Sequence, residues 1–267
     1  MIKKKRLVCI ADLHCGHEVG LTPPDYQHSL TRKYADIQRE CWDWYVKKAK
    51  ELNPVDILVV NGDMIDGRGE RSGGTELITG DRNKQVAMAI ECIELWKAKT
   101  IALVRGTPYH TGQYESYEDN ISKHFGNCKI GNHEWATVTF GKKKITTFDF
   151  KHYIGQSQVP YGRGTAVKRD EIWNALWAEA GMQPRAQWIV RSHVHYCESH
   201  SRWVGDKEVW AITTPALQAM GSRYGSQIMS GLVDFGLIHW DIYENGEINW
   251  KKHIAQISSQ KAQELTL

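Results

Sequence analysis

The chain has 267 residues, 41% hydrophobic and 24% charged, so it can bury a sizeable core and reads as one globular domain over residues 1–267. A formal net charge of +3, with a sequence pI near 8.4, permits contact with polyanions but excludes the dense basic footprint of a dedicated nucleic-acid binder. No stretch approaches the roughly 18 apolar residues of a membrane span, and the basic start Lys3 to Arg6 leads into too short an apolar run for a signal peptide. The six cysteines (Cys9, Cys15, Cys41, Cys92, Cys128, Cys197) form no CxxC pair and are expected to be free thiols in a reducing cytosol.

In chain order, residues 7–11 are a buried-type strand that breaks off at Asp12-Leu13-His14. From Leu30 onward, Tyr34, Ile37, Cys41, Trp44 and Ala49 recur at helical spacing until Asn53-Pro54 stops the helix. A second strand over residues 56–60 ends in Asn61-Gly62-Asp63, and a Gly-rich loop runs from Gly67 to Asn83. A helix carrying Val86, Ile90, Ile93 and Trp96 leads to a third strand, residues 100–104, which ends in Arg105-Gly106-Thr107-Pro108-Tyr109-His110. Strand, polar tip and helix thus alternate, the pattern of a sheet covered by helices whose functional groups gather beyond the strand ends.

The second half changes character. Residues 135–140 and 145–150 flank a Gly141-Lys144 turn and predict a hairpin, then a helix over 166–180 closes at Gly181. Strands come next at 188–190 and 209–213, and a last hairpin, 236–250, turns at Asn245-Gly246. The economical architecture is an α/β fold, a four-layer α-β-β-α sandwich of two mixed sheets flanked by helices.

Asp12 and His14 sit two apart, so an extended backbone would point both the same way and let them reach one metal ion. Alone this pair is commonplace, as is Gly62-Asp63. His152 ends the strand of the first hairpin, however, and Arg191-Ser192-His193-Val194-His195 ends the strand at 188–190. Four strand ends each delivering Asp or His make a mixed N/O donor set suited to Zn, Mn, Fe, Co or Ni.

These residues resemble the calcineurin-like metallophosphoesterases, whose ordered pattern is D-x-H, G-D, G-N-H-D/E, H and G-H-x-H. Asp12-x-His14, Gly62-Asp63, His152 and Ser192-His193-Val194-His195 match in order over nearly the whole chain, with Ser192 in place of Gly. The resemblance implies two divalent transition-metal ions, Mn²⁺ first, with Ni²⁺, Co²⁺, Fe²⁺ or Zn²⁺ as alternatives. By the same resemblance Asp63 bridges both ions, Asp12, His14 and His195 hold the first, and His152 and His193 hold the second. The third motif departs from the family: Gly106-Thr107-Pro108-Tyr109-His110 stands where Gly-Asn-His-Asp is usual, a variant similar to that of a phage- and prophage-associated branch. Thr107 would then supply a hydroxyl ligand or leave the place to water. The literal Gly131-Asn132-His133-Glu134 reads as a decoy opening the hairpin.

The activity implied by the resemblance is that of a metal-dependent phosphoester hydrolase, a phosphodiesterase or nuclease working through a metal-bridging hydroxide. His110 is its candidate general acid, with His17 a weaker one. The alternatives are a phosphomonoesterase and a scaffold protein of the same fold that has lost turnover. Arg68 and Arg71, with Arg82 nearby, are weak candidates for substrate phosphates. Trp42, Trp44, Trp173 and Trp177 could stack on bases, but their helical spacing predicts core packing. The expected partner is a phosphoester, including nucleic acid or nucleotide; no protein partner is indicated and no membrane.

Overall fold

The computed structural model describes residues 2–27, 32–112, 117–126, 128–157, 159–222 and 232–257, except for the side chains of residues 32, 33 and 71. Alternation along β1 (Lys4–Ile10) sets the layers: Leu7 and Cys9 face a core shared with the second sheet, while Val8 and Ile10 face helices. β2 (Ile57–Asn61) does the same with Val59 against Leu58 and Val60. Both faces of these strands are buried, which is why they read as continuous apolar runs.

The first sheet adds β3 (Thr100–Val104), β4 (Ile130–Gly131), β10 (Phe235–Tyr243) and β11 (Ile248–Ala255), in the order β11-β10-β1-β2-β3-β4. Strands β1 to β4 run parallel and β10 and β11 pair antiparallel at the other edge. The second sheet, β5-β6-β7-β9-β8, consists of β5 (Glu134–Phe140), β6 (Lys143–Lys151), β7 (Trp188–Arg191), β8 (Ser199–Val204) and β9 (Lys207–Thr213). Its central strands β6, β7 and β9 are parallel. Helices α1 (Arg32–Leu52), α2 (Arg82–Glu94) and α4 (Tyr117–His124) belong to the outer layer of the first sheet, and α5 (Thr165–Glu179) packs on β7 and β9 of the second. Four layers result, as the alternation of elements predicts. The short α3 (Pro108–Thr111) sits at the end of β3.

The outer core joins Tyr45, Cys92 and Trp96 to the strands, with the Trp96 indole N–H donating to the Tyr45 hydroxyl at 2.6 Å and that hydroxyl donating to the Cys92 carbonyl. Between the sheets Phe148, Trp188 and Trp240 pack ring to ring. Asp81 caps α2 by accepting from Asn83 and Lys84 N–H. All six cysteines are free thiols, five of them buried. Among the described residues, no helix is long and apolar enough to cross a membrane.

Four elements escaped the sequence reading: α3, α4, β4 and β8 are too short or too exposed to leave a periodic apolar signal. β4 also corrects the reading of Gly131-Asn132-His133-Glu134. It closes a unit parallel to β3, and the residues after Gly131 then cross to the second sheet. Trp42 is buried and Trp44 lies edge-on to Phe235, as core packing predicts, but Trp173 and Trp177 are about half exposed. That expectation fails for α5 because its buried face is made by Val167, Glu171 and Asn174 instead.

Candidate metal centre

The parallel strands of both sheets end on one side of the sandwich, and each end carries one or two of the singled-out residues. Asp12 and His14 follow β1, Asp63 follows β2, Thr107 and His110 follow β3, His152 follows β6, and His193 and His195 follow β7. Neither pair sits on extended backbone, contrary to expectation. Asp12 (φ 52°), His14 (φ 44°), Asp63 (φ 48°), His193 (φ 71°) and His195 (φ 57°) all lie in the left-handed region, which leaves only Lys97 as a further non-glycine residue there among those described. Side chains other than glycine, Asn or Asp rarely adopt it. The chain turns sharply after each strand, and each turn swings a donor inward.

The donors fall into two triads whose ligand atoms lie within 4.8 Å of one another: Asp12, His14 and His195, and Asp63, His152 and His193. In the first, His14 Nε2 is 3.2 Å from His195 Nε2, and His195 Nε2 is 3.2 Å from Asp12 Oδ1. In the second, His152 Nε2 is 2.9 Å and His193 Nδ1 4.0 Å from Asp63 Oδ2. His152 Nε2 also lies 3.9 Å from Asp12 Oδ1, so the triads adjoin. His193 and His195 therefore divide between the triads, which the left-handed turns permit and a regular strand would not. His14, Asp63 and His110 form a third grouping of the same kind.

A layer of supporting contacts holds the donors. Asp66, which sequence reasoning missed, accepts the Nδ1–H of His14 at 2.9 Å and leaves Nε2 facing the centre. Its backbone carbonyl accepts the Nδ1–H of His110 at 2.8 Å, so His110 Nε2 points inward, 3.9 Å from Asp63 Oδ2. The signal for Asp66 was its place three residues after Asp63, at the mouth of the same strand. His152 Nδ1–H donates to the Asn61 carbonyl at 2.7 Å. The Ser192 hydroxyl accepts from Asn61 Nδ2 and bonds the Thr214 hydroxyl. The buried Glu118 of α4 accepts the N–H of Met64 and of Gly106 at 3.0 Å, tying the loops after β2 and β3 together. Thr107 donates both its N–H (2.7 Å) and its hydroxyl (3.2 Å) to Asp63. Gly62 and Gly106 allow the close fit, since a Cβ on the first would meet the His152 ring at 2.3 Å and on the second Asp63 Oδ1 at 2.0 Å.

Burial opposes ionisation of Asp63, yet His152 and His110 outweigh it and hold the carboxyl well below the usual range. Asp12 is lowered in the same way by His195 and His152. Burial likewise disfavours charge on His152, but Asp63 and Asp12 raise it to about 10. His14 goes the other way: burial, with His110 beside it, pushes it down to about 4, so at neutral pH its Nε2 keeps a lone pair directed at the centre. Asp66 is lowered to about 2, where burial is outweighed by His17 and His14. The site concentrates carboxylates and imidazoles in one place, and a bound cation would displace the proton that Asp63 and Asp12 hold on His152. Asp12 Oδ1, fully buried, has no hydrogen-bond partner, a costly arrangement that a cation would relieve. Carboxylate and imidazole donors at this spacing fit divalent transition-metal ions.

The centre opens into a cleft of about 260 Å³ bordered by His17, Tyr109, Gln156 and Gln218 besides the donors. Among the described residues lining it there is no Lys or Arg. Arg68 is exposed and does not line the cleft, Arg82 stacks over Tyr117 at 4.1 Å, and the side chain of Arg71 lies outside the described residues. His17 borders the cleft, but its Nδ1 accepts from Val19 N–H and its Nε2 is 3.5 Å from Glu76. His133 donates to Asp149 at 2.7 Å and Glu134 pairs with Lys129, so neither belongs to the centre.

No protein-family model and no curated protein matches the sequence. Solved structures that resemble the fold include an archaeal phosphodiesterase (12% identity, TM-score 0.45, 93% of this chain and 99% of the other). Vps29 of Chaetomium thermophilum is similar at 10% identity and a TM-score of 0.39, covering 95% of this chain and all of the other. The purple acid phosphatase PPD1 of yellow lupin seeds is similar over 94% of this chain and 52% of its own, at 9% identity and a TM-score of 0.42. Likenesses this loose say nothing about chemistry, for which the geometry of the site speaks: an α/β sandwich whose strand ends bring two Asp/His triads within reach of metal ions.

Proposed function

We propose that the protein is a metal-dependent phosphoester hydrolase with a dinuclear centre, and that phosphodiesters are its substrates. The observation that carries the reading is the pair of adjoining triads, Asp12/His14/His195 and Asp63/His152/His193, gathered from four strand ends around an orphaned carboxylate oxygen. Asp12, His14 and His195 would hold one ion and Asp63, His152 and His193 the other, Mn²⁺ being the first candidate. Two such ions, when bound, supply Lewis-acid stabilisation of phosphoryl oxygens and acidify a water molecule.

The protein's own groups do the rest. With no Lys or Arg among the described residues lining the cleft, the charge that receives a phosphate would come from the bound cations. His110, its Nδ1–H fixed on the Asp66 carbonyl, presents Nε2 to the cleft and is placed to protonate a leaving alkoxide. Diester and monoester hydrolysis both expel an alkoxide, so this acid would serve either, and the diester assignment is what the paired diester and monoester assay decides. Thr107 donates two hydrogen bonds to Asp63 and would orient it.

The test is turnover of bis-p-nitrophenyl phosphate and p-nitrophenyl phosphate with Mn²⁺, Ni²⁺, Co²⁺, Zn²⁺ or Mg²⁺, alongside metal content and an Asp63→Asn control. Metal-dependent diester hydrolysis that vanishes in the variant supports the reading. Absence of turnover with every metal, with metal content unchanged by Asp63→Asn, overturns it.

A further inference from the structure

Helix α5 is inside out. Its buried positions include Glu171, which pairs with Arg202, and Asn174, which donates to Asp149 and accepts from Ala186 N–H. Its solvent face carries Ile172 (51% exposed), Trp173 (50%), Leu176 (55%) and Trp177 (47%). Met182, 69% exposed, extends this face, since its N–H bonds the Trp177 carbonyl and holds it at the helix end. A surface helix normally points its apolar stripe inward and its polar one outward. A contiguous apolar face on the solvent side marks a surface that something covers.

We infer that this face of α5 is the interface of a two-fold homodimer, with α5 packed antiparallel against its counterpart. An isologous interface must be complementary to itself: here the apolar side chains meet one another, and Arg169, exposed on the same stripe, falls at the edge opposite Ala180 of the second copy. A two-fold midway along the Ile172–Trp177 segment sets Ile172 against Trp177 and Trp173 against Leu176 of the second copy. Lys168 and Glu179 are eleven residues apart, three helical turns, and so share one flank of the helix. The same two-fold brings Lys168 of each copy opposite Glu179 of the other with an axial offset of about 3 Å, which a Lys side chain spans. Both are exposed and neither has an ion-pair partner among the described residues. Five large side chains, each about half exposed, offer on the order of 500 Å² per copy, and the total of about 1,000 Å² meets the lower bound for a specific interface. A stacking site for bases would use the two tryptophans but leave Ile172, Leu176 and Met182 in water.

The experiment is sedimentation equilibrium of the full chain from 5 to 100 µM, with and without Mn²⁺. The expected mass tends to twice 30.6 kDa as concentration rises. Trp173→Glu/Trp177→Glu, at half-exposed positions and with folding checked by circular dichroism, should leave a monomer throughout, whereas Trp203→Glu, exposed on β8 and off this face, should dimerise normally. Glu179→Lys should weaken the dimer roughly tenfold or more, and Lys168→Glu added to it should restore association. A wild type monomeric at 100 µM overturns the inference, as do a dimer indifferent to the α5 variants and a charge swap without rescue. So does a Trp variant that keeps its mass while losing affinity for a fluorescent single-stranded oligonucleotide, which would make the face a stacking surface. None of these readouts depends on turnover.

Discussion

Gly106→Ala is the smallest change that should disable the centre. A Cβ at this position would lie 2.0 Å from Asp63 Oδ1, 2.3 Å from Asp63 N and 2.8 Å from Asp63 Cα. Restoring ordinary contact requires Asp63 or the Gly106-Thr107 backbone to move by at least about 1 Å, since carbon–oxygen contacts near 3 Å are already tight. Neither can yield alone: Asp63 Oδ1 is held by the Thr107 N–H at 2.7 Å, and Gly106 N–H is held by the buried Glu118. Overpacking of this kind costs about 1–3 kcal/mol of stability. A misplacement of about 1 Å at a reacting centre costs on the order of 100-fold in rate. The assays are calorimetric Mn²⁺ titration, diester turnover and chemical denaturation, with Gly155→Ala as the control, because nothing lies within 4 Å of a Cβ there. If Gly106→Ala binds Mn²⁺ and turns over diester as the wild type does, the assignment of Asp63 to the centre is refuted.

Asp66→Asn removes the carboxylate that accepts the His14 Nδ1–H, and should weaken Mn²⁺ binding about 10- to 100-fold with the fold intact, read by titration calorimetry and circular dichroism. Glu118 is raised to about 7 because burial outweighs the two N–H groups it accepts, so between about 4.5 and 7 the folded chain holds a proton that the unfolded chain has lost. Its contribution is present at low pH and lost as pH rises through 7, so denaturant titrations should show Glu118→Gln gaining about 2–3 kcal/mol on the wild type from pH 5 to pH 8. Trp240→Ala, at a fully buried indole between the sheets, should cost about 3–5 kcal/mol in the same assay and leave the donor positions unchanged.

The layers were legible because both faces of β1, β2 and β3 are covered, so burial is written as unbroken apolar runs, each followed by its polar tip. The short α4 was not, although it contributes Glu118, since two turns with Ile121 as the one fully buried apolar side chain leave no periodicity. β8 is an edge strand whose side chains are mostly exposed, and nothing in its composition separates it from a loop. The six candidate donors could be singled out by their position at strand ends, and they do cluster, but the backbone geometry that brings them together was not legible. Alternation along a strand would have kept Asp12 with His14 and His193 with His195. The left-handed turns instead separate His193 from His195, and no single-sequence pattern reports φ. α5 misled for the opposite reason: tryptophans at helical spacing predict a core, and only the neighbours show that Glu171 and Asn174 have taken the inward side.

Three histidines in the left-handed region, His14, His193 and His195, cost on the order of 1 kcal/mol or more each, a sizeable part of the net stability of an ordinary domain. They persist because the loops that hold them are fixed from both sides. The register of β1 and β2 continues past the strand ends, with Asp12 N–H donating to the Gly62 carbonyl, His14 N–H to Asp63 and Cys15 N–H to Met64. Leu217 N–H bonds the carbonyl of Ala11, Asp234 N–H bonds that of His195, and Asp12 Oδ2 accepts the His193 N–H. Strain at so many candidate ligands, and at one other described residue only, is what a site selected for donor placement over stability looks like. It also dictates which variants are informative. At Asp12 or Asp63, Ala would remove a candidate ligand and add a backbone penalty at once, whereas Asn tolerates the left-handed region and removes only the charge. Loss of metal binding in Asp63→Asn at unchanged stability therefore isolates the carboxylate, and the same loss in Asp63→Ala would not.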